Sequence, residues 1–276
     1  MSSHPRFNSL RRVALGCALA WLTTGALAQS VVRISGTGSG TGGMRLLAQA
    51  FMQANPAVRV DVLPAVGSTG GISALMAGQV ELAVSNRPPK PAEIDKLAML
   101  SVEYARTPFV VAVHRDLGVS ALTLAQFAAL FAEGAATFPN GKRARPVLRM
   151  SDAADTAILK SLSPTVAAAI DAATLRRGML NADTDSEAAD LVERTAGAFT
   201  GSTLALIESE KRPLIALTID GKAPTVAALL DGSYPYFKAL FMIVGPQAGA
   251  ETKRFAAYLQ SAPGRAVLRA HGHAPL

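Results

Sequence analysis

An α/β protein on a parallel or mixed sheet is the fold class this sequence predicts, and three observations carry it. Strand-type and helix-type hydrophobic patterns alternate along the chain, the order expected when helices cover a largely parallel sheet. Small-residue loops at 35–43 (SGTGSGTGG) and 67–71 (GSTGG) each follow a strand pattern and open a helix pattern, and the run from Arg149 to Thr156 repeats the arrangement. No tandem repeat or long low-complexity linker breaks the alternation.

The amino terminus reads as an export signal. Arg6, Arg11 and Arg12 form a basic region, Val13 to Leu22 is apolar, and Ala26-Leu27-Ala28 has the small-x-small pattern of a cleavage site after Ala28. The apolar run is too short for a bilayer span and is broken at Thr23, Thr24 and Gly25. Cys17 follows too few apolar residues to be a lipid-attachment site, and it is the single cysteine, so residues beyond 28 can form neither a disulfide nor a thiolate metal site. Losing three arginines and no acids lowers the net charge from +7 to +4. The basic residues are scattered, apart from Lys142, Arg143 and Arg145, and aromatics are few. Nucleic-acid binding would call for a basic stripe with stacking rings, whereas a mild positive surface suits small anions.

Val31 to Ser35 is a strand that runs into the first small-residue loop, with a helix over Met44–Met52 ended by Asn55-Pro56. Gly36, Gly38, Gly40, Gly42 and Gly43 are read as allowing positive φ and a close approach of backbone amides to a ligand. The helix start adds unpaired amides and partial positive charge, and Thr37, Ser39 and Thr41 add hydroxyls, which together make an anion cradle. Val58–Val62 alternates as a strand. Ser68 or Thr69 then caps a helix from Ile72, or shares a ligand with the first loop. Val80–Val84 is a third strand ending at Ser85-Asn86, beside the first two loops if the ligand sits at strand ends. Arg87 is either an anion partner or solvated. Phe109–Val113 is a buried-type strand, Leu124–Phe131 a helix, and Pro146–Leu148 a strand end leading to Arg149. The Arg149 guanidinium pairs with Asp152 or Asp155, or faces a tetrahedral oxyanion. Ser186–Arg194 is a helix with Asp183 and Asp185 near its positive end. Gly197–Thr203 reads as a turn, Lys238–Val244 as a buried strand, and Thr252–Gln260 and Arg265–Ala270 as closing helices.

Gly38 to Gly43 satisfies G-x-G-x-x-G after a strand, but Asp61, at the distance of a ribose contact, sits inside an alternating strand rather than at its end. A phosphate loop fails because no Gly-Lys-Ser/Thr closes the run. Beyond residue 28 the histidines are His114, His271 and His273, with no acidic cluster in sequence and no Gly-x-Ser-x-Gly elbow, so the chain reads as a binder rather than an enzyme, with no cofactor and no metal.

Several blocks resemble the phosphate-type (Pst-type) periplasmic solute-binding proteins of ABC importers. They are SGTGSGTGG before a helix ending AFMQANP, GSTGGISALMAGQVELAVSNRP, PFVVAVH, LTLAQFAALF with FPNG, the loop from Arg149 to Thr156, YPYFKALFMIV and FAAYLQSAPGRAVL. The resemblance implies a two-lobed, type II binding-protein fold with crossing strands near Phe109–Val113 and Lys238–Val244. It divides the chain into a signal peptide (1–28), one lobe from 29–107 plus 239–276, and another from 108–238. It also implies a monomer in the periplasm that hands a small oxyanion, phosphate first, to an inner-membrane ABC permease. The ligand set it implies is Thr37, Gly38, Ser39, Gly40, Thr41, Ser68, Thr69, Ser85, Asn86, Arg149, Ser151, Asp155 and Thr156.

Two departures stand out. Asn86 occupies the place where the family often has an aspartate that accepts the proton of hydrogen phosphate. Ala154-Asp155-Thr156 replaces Ser-Gly-Thr and lies one residue further from Arg149, so that Asp155 either repels an anion or takes over the acceptor role. These departures leave a second expectation: a secreted sensor or adhesion component of the same fold with an altered cleft.

Overall fold

The computed structural model describes residues 1, 30–96 and 98–276; apart from Met1, the expected signal peptide lies outside them. In chain order the strands are β1 (Ser30–Gly36), β2 (Val58–Val62), β3 (Leu82–Ser85), β4 (Leu100–His114), β5 (Ala121–Leu122), β6 (Arg145–Arg149), β7 (Leu180–Ala182), β8 (Ala198–Thr203), β9 (Leu214–Ala216), β10 (Thr218–Ile219), β11 (Phe237–Val244) and β12 (Ala274–Pro275). The helices are α1 (Gly38–Ala54), α2 (Gly67–Met76), α3 (Pro91–Ile94), α4 (Leu124–Ala129), α5 (Ala154–Ser161), α6 (Pro164–Thr174), α7 (Asp185–Arg194), α8 (Leu204–Ser209), α9 (Val226–Leu230), α10 (Ala250–Gln260) and α11 (Ala262–Arg269).

The strand order is β2-β1-β3-β11-β4-β8-β6-β7. It falls into two halves because β4 changes partner along its length. Its residues 100–108 pair with β11, and Phe109–Val113 pair with β8. β1 is parallel to β2 and β3, and β6 is parallel to β7 and β8, while β11 and β4 pair antiparallel with their neighbours, so each half is a mixed sheet, within the parallel or mixed sheet that the alternating pattern predicts. The fold is the two-lobed α/β arrangement. β4 makes one crossing. β11 itself stays in the first half, so the expected second crossing strand is displaced. The chain returns just ahead of β11, where Tyr236 O accepts from Phe109 N (3.0 Å) and Tyr234 Oη donates to Phe109 O (2.6 Å).

Each half has its own core. In the first, α1 lays Met44, Leu47, Ala48 and Phe51 on β1, β3 and β11, where they meet Ile34, Leu82, Val84, Leu240 and Phe255. Burying each of these side chains other than Ala48 contributes roughly 1.5–3 kcal/mol. In the second, Phe199 lies edge-on to Phe127, Phe131 and Phe138, with ring centroids 5.9, 5.1 and 5.9 Å away. Phe199 belongs to β8, which corrects the expected turn at Gly197–Thr203. Small residues make that stretch look like a turn, yet all six residues of β8 are buried, and Gly201 gives way to the Phe109 ring.

Candidate functional site

α1 begins at Gly38, not Met44, so the glycine run is helix rather than loop. Of its glycines only Gly36, just before the helix, has positive φ (+147°); a Cβ there would lie 1.9 Å from Val84 O. The others serve packing. A Cβ on Gly38 would meet Ser186 Oγ at 2.5 Å, one on Gly42 would meet Ser209 Oγ at 2.2 Å, and one on Gly43 the His273 ring at 2.9 Å. The glycine face thus lets α1, from the first half, press against α7 and α8 of the second.

The anion cradle at the start of α1 holds a side chain of the protein itself. Asp185, the first residue of α7, places Oδ2 3.1 Å from Ser39 N and 2.5 Å from Ser39 Oγ, both donating to it. Thr37 Oγ1 sits 2.9 Å from the same oxygen and 2.5 Å from Asn86 Oδ1, with one proton to give to either. Asp185 Oδ1 accepts from Arg149 Nη1 (2.6 Å) and Lys238 Nζ (3.0 Å). Lys238 also pairs with Asp155, and Arg149 Nη1 lies 3.3 Å from Asp155 Oδ2. The result is a buried quartet of two carboxylates and two cations, with Asp155 and Asp185 only 2% and 6% exposed.

Electrostatics separates the two acids. Burial opposes ionisation of Asp185, but Lys238, Arg149 and the Ser39 hydrogen bond outweigh it and hold its carboxyl well below the usual range. Asp155 goes the other way: burial pushes its pKa up, and Asp185 adds to the rise against the pull of Lys238 and Arg149. Burial likewise works against charge on Lys238, and Asp155 and Asp185 overcome it and raise its pKa. Desolvating such an array costs several kcal/mol per ion, and apolar residues of the same volume often serve stability as well or better.

Next to the quartet a cavity of about 320 Å³ is lined by Thr37, Ser68, Thr69, Asn86, Arg149, Asp155 and Asp185, and by Gly67 and Ala154 at the starts of α2 and α5. Neither helix has a side-chain cap. Ser68 is not the cap of α2: that position is Val66, and Ser68 Oγ accepts from Asn86 N (2.9 Å), tying the second loop to the third. Asn86 Nδ2 donates to Ala239 O (3.2 Å).

Several expected ligands turn elsewhere. Gly38, Ser39, Gly40 and Thr41 are buried within α1, and Thr41 Oγ1 points back to Gly38 O. Ser85 Oγ donates to Arg87 O, Thr156 Oγ1 donates to Met150 O, and Ser151 is exposed. Arg87 is bound by Glu93 through two 2.8 Å contacts rather than solvated, and reaches Thr69 Oγ1 at 3.3 Å. Arg149 has Asp155 as foreseen, but its shorter contact is Asp185 and Asp152 is exposed.

Asp185 and Lys238 are the two residues sequence reasoning passed over. Asp185 was accounted for locally, as an acid at a helix start. Lys238 carried a signal, being the lone charge in the apolar run FKALFMIV. Among the described residues no group of three or more His, Cys, Asp or Glu is placed to hold a metal ion, and no helix is long and apolar enough to cross a membrane.

No curated protein matches the sequence. Among solved structures, a Clostridium perfringens protein described as a phosphate ABC transporter substrate-binding protein, solved with bound phosphate, superposes with a TM-score of 0.70 at 19% identity, covering 90% of this chain and 100% of its own. An ABC-type phosphate transport receptor from Vibrio cholerae gives 0.53 at 20% identity, over 89% and 99% of the two chains. The periplasmic molybdate-binding protein of Azotobacter vinelandii gives 0.61 at 15%, over 88% and 98%. At such identities the likeness is one of fold. A family model described as a PBP superfamily domain matches residues 23–263. With most of its length under that model and both halves of the two-lobed sheet in place, the chain belongs to the periplasmic-binding-protein superfamily.

Proposed function

We propose that this protein is a periplasmic receptor that captures phosphate or a similar small oxyanion between its lobes and presents it to an ABC permease in the inner membrane. It acts as an exported monomer that binds and releases its solute without chemical change. The lobes divide as 29–107 plus 239–276 and 108–238. The observation that carries the reading is the convergence on one cavity of the uncapped starts of α2 and α5, the Ser68 and Thr69 hydroxyls and the Arg149 guanidinium, whose buried Nε has no hydrogen-bond partner among the described residues. Amides at helix starts and a planar guanidinium are the donors that suit a tetrahedral oxyanion. The relatives of like fold described as binding phosphate or molybdate support the same class of solute. Lobe closure around the solute is the change a membrane partner would read. Calorimetry and thermal melting with phosphate, sulfate, molybdate and small carboxylates test the reading: one oxyanion gives saturable heat and raises the melting temperature. Silence across the panel at millimolar concentrations would remove it.

One observation favours a second reading. Asp185 fills the α1 cradle, so the cleft is partly satisfied by the protein itself. A secreted sensor or adhesion component with an altered cleft would show that silence while remaining folded and closed.

A further inference from the structure

Asp185 sits where an outside anion would be expected. Its carboxylate accepts from the Ser39 amide and hydroxyl, the Thr37 hydroxyl, the Arg149 guanidinium and the Lys238 ammonium, the last two shared with the neighbouring Asp155 carboxylate. That donor set combines a helix start, hydroxyls and cations, which is the chemistry that recognises a free oxyanion. The carboxylate does not cap its own helix. α7 is capped by Thr184, whose hydroxyl accepts from Glu187 N at 3.1 Å, while Asp185 reaches 146 residues back along the chain to Ser39. It comes from the second half and is gripped by the first, beside the glycine face that lets α1 approach α7 to contact distance. An ordinary ion pair would need one cation and no helix start.

We propose that Asp185 is a tethered ligand. Its carboxylate occupies the anion position at the start of α1 and closes the two lobes on a group of the protein itself. An external oxyanion reaches that position only when α7 withdraws Asp185. Asp185 therefore sets the affinity and selectivity of the cleft. A tethered group competes at an effective concentration on the order of millimolar or higher, so only an anion that outcompetes a carboxylate at that level is admitted. The proposal rests on the oxyanion reading for the identity of the outside solute, but its core, lobe closure by an internal anion, stands on the contacts alone.

The test uses the exported chain and its Asp185→Ala variant, which leaves a space the size of a carboxylate between unchanged donors. Melting temperature and the radius of gyration from solution scattering are followed while formate, acetate, phosphate or sulfate is added at constant ionic strength. The wild-type protein is expected to be compact without added anion and insensitive to formate and acetate. Asp185→Ala is expected to melt lower and scatter as a more open particle, with both properties restored saturably by formate or acetate. Its phosphate affinity should exceed that of the wild type at least tenfold. Asp185→Asn, which fills the space with an amide, should show no rescue. If Asp185→Ala does not fold in plain buffer, its recovery is attempted in formate and in phosphate. Anion-dependent refolding supports the tether, and failure in both overturns it. A variant as compact as the wild type with no response to any anion, or equal rescue of Asp185→Asn, also overturns it. The two readings fail separately: wild-type silence towards every oxyanion removes the transport role, whereas an anion-blind Asp185→Ala removes the tether.

Discussion

Removing the ammonium of Lys238 unbalances the buried quartet, and the size of the penalty follows from its geometry. Lys238 is 3% exposed and touches both Asp155 and Asp185. In Lys238→Met the methylene stem is largely replaced but the charge is lost, leaving Arg149 to face two carboxylates. Breaking a buried pair in this way costs about 3–5 kcal/mol, because the partner is left uncompensated, while replacing both partners is often neutral or better. Lys238→Met is therefore expected to lose about 3 kcal/mol or more at pH 7. The double variant Lys238→Met/Asp155→Asn, again neutral with one cation and one anion, should recover most of that loss. pH supplies an internal check. Asp155 already has a raised pKa through burial and Asp185, and losing Lys238 raises it further, so a proton on Asp155 repairs the imbalance. A carboxyl whose folded pKa lies above its unfolded value stabilises the fold at low pH, and that stability is lost as pH rises through the folded pKa. The deficit of Lys238→Met relative to wild type should accordingly shrink as pH falls from 7 towards 5. Urea unfolding followed by circular dichroism, with m-values checked for two-state behaviour, measures all three proteins. A single-variant cost below about 1 kcal/mol, or a double variant that loses the sum of the two single losses, would refute the account.

His273 is buried, and burial lowers its pKa to about 4, so it folds neutral. The unfolded chain binds that proton near pH 6.5, hence stability is complete above this value and falls as pH drops towards 4, by about 3 kcal/mol. The stability difference between wild type and His273→Leu, measured by urea unfolding, should shift by that amount between pH 7 and pH 4; a pH-independent difference would exclude it. Two glycine variants separate strain from collision. Gly67→Ala meets positive φ (+75°) but open space and should cost about 1–2 kcal/mol. Gly36→Ala adds a collision with Val84 O and should cost more than about 4 kcal/mol or prevent folding in thermal melts.

The legible part of this protein was the part written in neighbouring residues. Val31–Ser35 followed by a small-residue run and an apolar-periodic helix gives β1 and α1, because alternation and 3.6-residue spacing are local properties. The resemblance of the paired blocks carried the two-lobed fold. The run 38–43 reads as a loop because glycine is a poor helix former in isolation. In the folded chain the loss in propensity, about 1 kcal/mol per glycine, is offset by packing against Ser186, Ser209 and His273, residues too distant in sequence to be weighed. β8 was missed for a related reason: a strand buried on both faces can be built of Ala, Thr, Gly and Ser, which in isolation look like a turn. Asp185 is the residue whose role the sequence hides most completely. An acid at a helix start already has a local explanation in the helix dipole, and nothing nearby signals that its side chain crosses to another helix start.

Charge balance gives the cleft a further measurable property. With both acids ionised the quartet is neutral. If an oxyanion displaces Asp185 from the cradle, the anion faces Arg149 and Lys238 with Asp155 alongside. A dianion such as sulfate beside an ionised Asp155 would then leave a buried net charge of −1, an arrangement that buried sites strongly disfavour. Asp155 is the group able to correct this, since burial already raises its pKa and the bound dianion would stand where the negative charge of Asp185 stood. Sulfate and molybdate carry no proton of their own at neutral pH, so the proton must come from solvent. Binding of either is thus expected to take up as much as one proton and to weaken as pH rises. Titration calorimetry in buffers of different ionisation enthalpy reads the uptake directly, and Asp155→Asn should abolish it while making the binding independent of pH. Proton release, or unchanged uptake in Asp155→Asn, would show that the cleft balances its charge by another route. Asn86 cannot provide that route, because an amide neither gains nor loses a net proton at these pH values.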